Sequence, residues 1–418
     1  MAITSAVTNG PMKLLIRRQR PPLLTVSDAR RALRKTKTSS FPSGHSASAA
    51  AFAAGVAMEV PALGVPLGVA AAGVAYSRVH TGVHYPGDVI VGAACGVAVA
   101  HATRRIWPVA PHTPAQTRRS LVRSHVLASP DGSGVNIAVN PGAGPALGGR
   151  GLANELRDSL PGAQVEDVAE GVDLAAVLRR LADGAQAIGI AGGDGSINAA
   201  AQVAVDADLP LVAVPGGTLN HLARDLGVSS VDDAVTAIRE GETASIDVAT
   251  IAGQVFLNTA SFGAYVELVD AREQLERRIG KWPAMLVALC RVLTSSQPVR
   301  VRIDGRERSI WMIFIGNCRY HPHGFAPSWR ERLDDGLLDV RIVEASAPYA
   351  RVRLIAAVLL GRLGRCRVYE EVTTRELKVE SLQGPLRLAR DGEVFDGPET
   401  FAVTKLERPL TVFVPAGG

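Results

Sequence analysis

Aromatic residues make up only 5% of the 418-residue chain, so its apolar segments are built from Ala, Gly and Val rather than from large rings. The four cysteines, Cys95, Cys290, Cys318 and Cys366, are scattered and form no CxxC pair. That disfavours a disulfide framework and a thiolate zinc site, and it fits a reducing compartment. Charged residues are 20% of the total, below the usual globular share of about a quarter. No apolar run reaches the roughly 20 residues of an ideal membrane span, and the N-terminus lacks the apolar core of a cleavable signal peptide. Neither GxxxxGK[ST] nor GxGxxG occurs, which removes the two commonest nucleotide-loop signatures.

What is present excludes a disordered chain: hydrophobic residues are 47% and mean hydropathy is +0.15. A formal charge of +5 suggests an anionic partner. Residues 1–40 hold Lys13, Arg17, Arg18, Arg20, Arg30, Arg31, Arg34, Lys35 and Lys37 against the single acid Asp28. Taken alone, this run is a solvated basic arm or a nucleic-acid patch.

Three apolar stretches follow the arm, Ala47 to Met58, Val60 to Tyr76 and Val89 to Ala102. Their small residues and the flanking Arg104, Arg105 and Trp107 favour membrane helices over a soluble bundle. Residues 108–133 are rich in Pro and basic groups and predict a linker. Short strands then alternate with amphipathic helices: Val135–Val139, Leu147–Leu160, Leu174–Ala182, Ala187–Ala191, Ile197–Ala207 and Leu211–Val214. This is the pattern of a doubly wound parallel α/β sheet. From about Asp247 strands dominate, predicting a β-rich, sandwich-like second domain with a helical insertion around 266–294. The expected boundaries are 1–107, 108–133, 134–246 and 247–405, with the tail 406–418 returning to the first sheet.

Three clusters punctuate the apolar segment: Lys13-x6-Arg20-Pro21, Pro42-Ser43-Gly44-His45, and Ser77-Arg78-x5-His84-x3-Asp88. Two cations, two histidines and a carboxylate in this order suit phosphomonoester cleavage without a metal. Cations and a helix N-terminus hold the phosphoryl oxygens, one imidazole attacks phosphorus and another protonates the leaving alkoxide. The clusters resemble the three signatures of the type 2 phosphatidic acid phosphatase (PAP2) superfamily. The resemblance implies His84 as nucleophile, Asp88 as its orienting partner and His45 as general acid. Lys13, Arg20, Ser43, Gly44 and Arg78 would hold the phosphate. Only twelve residues precede Lys13, so the expectation is a segment incomplete at its N-terminus.

Three Gly-rich loops follow three strands: Asn140-Pro141-Gly142-Ala143-Gly144, Gly192-Gly193-Asp194-Gly195-Ser196 and Pro215-Gly216-Gly217-Thr218-Leu219-Asn220. Each alone is an ordinary tight turn; three at the carboxyl ends of one sheet mark a nucleotide crevice. The set resembles the diacylglycerol kinase catalytic domain, in the superfamily that also holds sphingosine and NAD kinases. Pro215-x-Gly217-Thr218-x-Asn220-x-x-Ala223-Arg224, Leu333-Asp334-Asp335-Gly336 and Asp391-Gly392-Glu393 agree with the lipid kinases. The resemblance implies ATP with Mg²⁺. Asn140, Gly192, Gly193, Asp194, Gly195, Ser196, Gly217, Thr218 and Asn220 would line the nucleotide site, with Asp194 catalytic and Asp391 or Glu393 as base. Asp335, with the Leu337 and Arg332 carbonyls, would form a structural Mg²⁺ site.

The expectation is therefore an integral cell-membrane lipid kinase fused to a PAP2-type segment. Its partners would be a lipid such as diacylglycerol and the bilayer, without nucleic acid, and a homodimer stays open. The kinase would face the cytoplasm and the phosphatase groups the outside. A degenerate lipid-binding regulator and a soluble NAD kinase are the competing readings.

Overall fold

Small residues decide the architecture of the first unit, Met1–Val109. Helix α1 (Gly44–Glu59) opens on Ser43, whose hydroxyl accepts from the Ser46 N–H and caps the first turn. Helices α2 (Gly64–His80) and α3 (Pro86–Ile106) complete an antiparallel-then-parallel trio. A Cβ on Gly92 would lie 2.5 Å from the Ser43 carbonyl, and one on Gly96 2.1 Å from that of Ala47. Backbone therefore meets backbone along α1 and α3, which a larger residue at either position would forbid. The Ser43 N–H donates to the Asp88 carbonyl at one end of this pair, and Arg104 pairs with Glu59 at the other.

The computed structural model describes residues 4, 5, 8, 12, 13, 16, 18–22, 39–106, 113–119, 129–143, 148–217, 220–264, 266, 296–324, 327–359 and 362–415. Among them, two helical stretches, Pro61–His80 and Pro86–Arg105, are long and apolar enough to cross a membrane. The third expected span, α1, has 16 residues and rises only about 24 Å. Gly44, Ser46, Ala47, Ala51 and Ala53 are buried inside the unit.

Among its described residues the second unit, Ala110–Gly418, contains a seven-stranded sheet, an eleven-stranded sheet and a two-stranded pair. In chain order its elements begin with β1 (Arg118–Arg119), β2 (Val135–Val139), α4 (Gly148–Ser159), β3 (Gln164–Asp167) and α5 (Leu174–Ala182). There follow β4 (Ala187–Gly192), α6 (Asp194–Ala207), β5 (Leu211–Pro215), α7 (His221–Asp225), α8 (Val231–Glu240) and β6 (Thr243–Ile246). The first sheet runs β1-β6-β20-β5-β4-β2-β3, where β20 is Leu410–Phe413. Strands β3, β2, β4, β5 and β20 are parallel. All six residues of β4 are buried, as expected where helices cover both faces of a parallel sheet. Ile137, Ile188, Ile190, Val212 and Val214 form this core with Leu178, Leu181 and Ile197 from the helices.

The second sheet is antiparallel and eleven-stranded. It comprises β7 (Ala249–Ile251), β8 (Gln254–Phe256), β9 (Thr259–Gly263), β10 (Val299–Ile303), β11 (Arg306–Asn317) and, after the small pair β12 (Tyr320–His321) and β13 (Trp329–Arg330), β14 (Leu338–Glu344). After helix α9 (Ala350–Leu359) come β15 (Tyr369–Thr374), β16 (Glu376–Ser381), β17 (Arg387–Arg390), β18 (Glu393–Asp396) and β19 (Thr400–Lys405). Phe262 and Phe401 meet edge to face at 5.7 Å in its core, beside Phe256, Ile313 and Val403. The helical insertion expected around 266–294 falls, but for residue 266, outside the described residues.

Candidate active sites

The three N-terminal clusters converge at one end of the helical unit. Because α2 runs antiparallel to α1, the end of α2 returns to the start of α1. His84 is buried, and its Nδ1 bonds the Ser40 carbonyl at 2.6 Å. This corrects the expectation for Asp88, whose Oδ2 lies 3.8 Å from the same nitrogen. Asp88 instead accepts from the Tyr85 N–H at 3.0 Å and from Arg18 at 2.8 Å. The ring tautomer is therefore set by a backbone carbonyl: Nδ1 carries the proton, and Nε2 keeps the lone pair. Burial first, and the nearby charge of Arg20 second, push the His84 pKa down to about 4. The imidazole is neutral at pH 7.

Arg20 donates to the Val83 carbonyl at 3.0 Å, which ties the first cluster to the third. Ser43 is buried with its hydroxyl 2.9 Å from that of Ser46. Gly44 begins α1, and the exposed His45 follows it in the first turn. Arg78 buries its Nε without a hydrogen-bond partner among the described residues. A buried, unpartnered guanidinium N–H is costly unless an anion completes it. Arg18 was missed by sequence reading; it ion-pairs with Asp88 and lies 4.3 Å from the centroid of the Tyr85 ring.

In the second unit the three glycine loops meet at the carboxyl ends of β2, β4 and β5. A Cβ on Gly217 would lie 2.5 Å from Gly193 Cα, and one on Gly216 2.9 Å from the Gly192 nitrogen. Only glycine permits this approach of main chain to main chain. Asn140 donates to Ser196 at 2.7 Å, which joins the first loop to the second. Asn220 closes the third loop: its Oδ1 accepts from the Gly217 N–H and its Nδ2 donates to the Gly217 carbonyl, both at 2.8 Å. Its φ of 48° is left-handed, a conformation that Asn tolerates well. Asp194 accepts from the His221 N–H at 2.7 Å. Thr218 lies outside the described residues. A cavity of about 410 Å³ opens beside Asn140 and Gly142, walled by Val168, Glu170, Val172 and Leu174. The turn from Val168 to Leu174 was not singled out in the sequence, for it carries no motif.

Asp391 and Glu393, equivalent in the sequence, differ in the fold. Asp391 and Gly392 form the two-residue turn between β17 and β18, with φ values of 44° and 90°, the Asp-Gly pairing that such hairpins prefer. The Asp391 carboxylate accepts three backbone N–H bonds, from Leu257, Asn258 and Thr259, at 2.8–2.9 Å. Burial raises its pKa, against those three bonds and the nearby Arg330. Glu393 is exposed, and a Cβ on Gly195 would lie 2.7 Å from its Oε1. Its carboxylate thus stands over the second phosphate loop.

Two cations, buried Arg330 and partly buried Lys405, organise the surrounding region. Arg330 donates to Asp225, to Asn258 and to the Leu257 and Asn317 carbonyls. It links α7 to the β8–β9 turn and to β11, and so joins the two sheets. Lys405 lies 2.6 Å from Asn317 Oδ1, 3.1 Å from Asp247 and 3.3 Å from the Cys318 sulfur. The Asp247, Cys318 and Asp335 ligand atoms lie within 4.8 Å of one another, close to the expected structural Mg²⁺ site. The Leu337 carbonyl accepts from the Cys318 N–H at 3.0 Å. Both Asp335 oxygens accept backbone N–H bonds, from Arg319 and Leu337. Burial holds the Cys318 thiol protonated, its pKa pushed up to about 12. The Arg332 side chain is turned to Asp334.

Comparison with known proteins matches each region to a family. Residues 1–110 match the PAP2 superfamily. Residues 135–251 match the diacylglycerol kinase catalytic domain, and residues 260–413 the YegS C-terminal NAD kinase beta sandwich-like domain. The chain is thus a PAP2-superfamily segment fused to a two-domain module of the diacylglycerol kinase type. A diacylglycerol kinase of Mycobacterium tuberculosis is 27% identical over 252 residues, covering 57% of this chain and 80% of its own length. A protein of Pseudomonas fluorescens classed as a YegS-like lipid kinase is 29% identical over 247 residues, covering 57% and 81%. A solved Bacillus anthracis structure assigned to the diacylglycerol kinases has a TM-score of 0.53 at 21% identity. It spans 68% of this chain and 98% of that one, so the fold is shared.

Proposed function

We propose that the second unit transfers the γ-phosphoryl group of ATP to the hydroxyl of a membrane lipid, diacylglycerol or a close relative. The reading is carried by Glu393 standing over Gly195 where three phosphate-sized glycine loops meet. Phosphoryl transfer needs positioning and charge neutralisation rather than covalent help. MgATP enters as co-substrate, its metal neutralising the β- and γ-phosphates. The main-chain N–H groups of residues 193–195, at the start of α6, cradle phosphate oxygens, and the 410 Å³ cavity beside Asn140 takes the nucleoside. Asp194 holds the start of α7 against the second loop. Glu393 accepts the proton of the lipid hydroxyl as its oxygen bonds to phosphorus, and the bond to ADP breaks. Asp391, occupied by three N–H groups, positions the hairpin that carries Glu393.

For the helical unit, the tautomer set by Ser40 supports His84 Nε2 as a nucleophile toward a lipid phosphomonoester. The P–O bond to the lipid breaks, His45 protonates the departing alkoxide and water then cleaves the phosphohistidine. Arg78, Arg20 and Lys13 hold the phosphoryl oxygens. With α2 and α3 across the bilayer, the His84 end faces outward and Arg104, Arg105, Arg118 and Arg119 face the cytoplasm, where ATP is available. Probes at Thr38 and Thr113 should then label from opposite sides.

The deciding assay supplies γ-labelled ATP with a panel of membrane lipids and with NAD as a competing acceptor. Label in a lipid phosphomonoester is expected. Label in NAD, or none in any lipid, overturns the reading.

A further inference from the structure

Helix α9 is anchored by one face only. Ala350 is buried, and Arg351 donates to the Ser296 carbonyl while lying 5.0 Å from the centroid of the Trp311 ring. The outward face carries Tyr349, 81% exposed, Val352, 64%, and Ile355, 41%. Arg353 and Ala356 are exposed beside them. Positions 349, 352, 353 and 356 fall on one stripe at helical spacing. A single exposed apolar residue is ordinary on a soluble surface, but a contiguous stripe marks a contact.

Charge identifies what that contact is. From Ala345 to Tyr369 the chain contains Arg351, Arg353, Arg362, Arg365 and Arg367 and no acidic residue. Two other arginines of this domain are doubly matched: Arg302 pairs with Glu307 and Glu380, and Arg308 with Glu344 and Glu370. Among the described residues, none of Arg353, Arg362, Arg365 and Arg367 has an ion pair, and all four are exposed. An apolar stripe bordered by unmatched arginines is the make-up of an interfacial helix. Its apolar side chains enter the acyl boundary, and its guanidinium groups meet lipid phosphates.

We propose that α9 and the 362–367 segment form the membrane contact of the kinase module, docking on an anionic bilayer. The inference rests on the lipid-kinase reading: a diacylglycerol hydroxyl sits at the bilayer surface, and this contact brings the kinase module to that surface.

The test places a fluorescent amino acid at Val352 of the full chain. The protein is reconstituted in vesicles of phosphatidylcholine alone or mixed with phosphatidylglycerol. A blue shift confined to the anionic vesicles is expected, reversed by high salt and lost when Arg362, Arg365 and Arg367 are all changed to Gln. Val352→Asp with Ile355→Asp should lower turnover of bilayer-embedded diacylglycerol at least about tenfold. Turnover of a short-chain, water-soluble acceptor should be unchanged. Three results overturn the proposal: no shift on anionic vesicles, an equal shift on neutral ones, or a probe already shielded before lipid is added. The last would mean that protein covers the stripe. Docking as expected without phosphate transfer to any lipid would instead overturn the kinase reading and leave the membrane contact standing.

Discussion

On the proposed reading, the two units would meet phosphate in opposite ways. The helical unit does so with side chains: Arg18, Arg20 and Arg78 gather around a buried histidine, and the backbone mainly holds them there. The kinase module does so with main chain: Gly193, Gly216 and Gly217 lack a Cβ, so the loops pack main chain to main chain around the start of α6, and its enclosed cations, Arg330 and Lys405, are used for architecture. The difference follows from the tasks the two sites are assigned. A phosphate that becomes covalently bound to a histidine needs a neutral imidazole in a cationic pocket. A phosphoryl group passing between two oxygens needs a rigid cradle and one correctly placed base.

The comparison breaks first if Arg330 is not structural. Replacing it by Met leaves Asp225 and the Leu257 and Asn317 carbonyls without their shared partner. Loss of one member of such a buried network costs about 3–5 kcal/mol. Thermal unfolding of the Arg330→Met variant should show the kinase module melting far below the parent, and an unchanged transition would contradict the assignment.

Backbone contact between α1 and α3 is tested by Gly96→Leu, since a Cβ there meets the Ala47 carbonyl at 2.1 Å. Overpacking of this kind costs about 1–3 kcal/mol. The variant should lose helical-unit stability while ATP turnover by the kinase module stays at the parent level.

Acid titration separates the units further. The pKa of His84 is about 4 in the fold against 6.5 in the unfolded chain. The unfolded chain therefore takes up the proton first. The contribution is fully present above pH 6.5 and is lost as pH falls from 6.5 towards 4, worth at most about 2 kcal/mol after solvent screening. Helical-unit stability, followed by circular dichroism, should decline through that window and decline less in His84→Asn, where His45, its pKa also lowered by burial, still titrates.

Much of this was legible before any coordinates. The glycine loops announced themselves because close main-chain approach demands a residue without a Cβ. The three N-terminal clusters were legible because cations and histidines are conspicuous in an Ala-rich chain. The illegible features share one property: the partner is backbone, or lies far away in sequence. Ser40 carries no motif, and its carbonyl displaced Asp88 from the histidine. Arg330 and Lys405 look like surface cations until β13 and β19 carry them to Asn317 at the end of β11. Asp391 and Glu393 could not be told apart because the hairpin turn, which sends one carboxylate inward and the other over the loop, exists only once β17 and β18 are in register. Short strands such as β3, β17 and β18 were missed because they alternate too few apolar residues to show a period. The 16-residue α1 looked like a span because its Ala and Gly face protein as readily as lipid.

The account turns on Glu393 as the residue that takes the proton, with Asp391 as the residue that holds it in place. Single-turnover transfer of label from ATP to diacylglycerol, measured on Glu393→Gln and Asp391→Asn alongside their melting temperatures, tests this most directly. Glu393→Gln should lose about 10²–10³ in the transfer rate, as expected when a general base is removed, with its melting temperature unchanged. Asp391→Asn should lower the melting temperature as the β8–β9 turn loses its anchor. Transfer by Glu393→Gln within tenfold of the parent would contradict the assignment, and so would a destabilised Glu393→Gln beside an Asp391→Asn that is inactive yet fully stable.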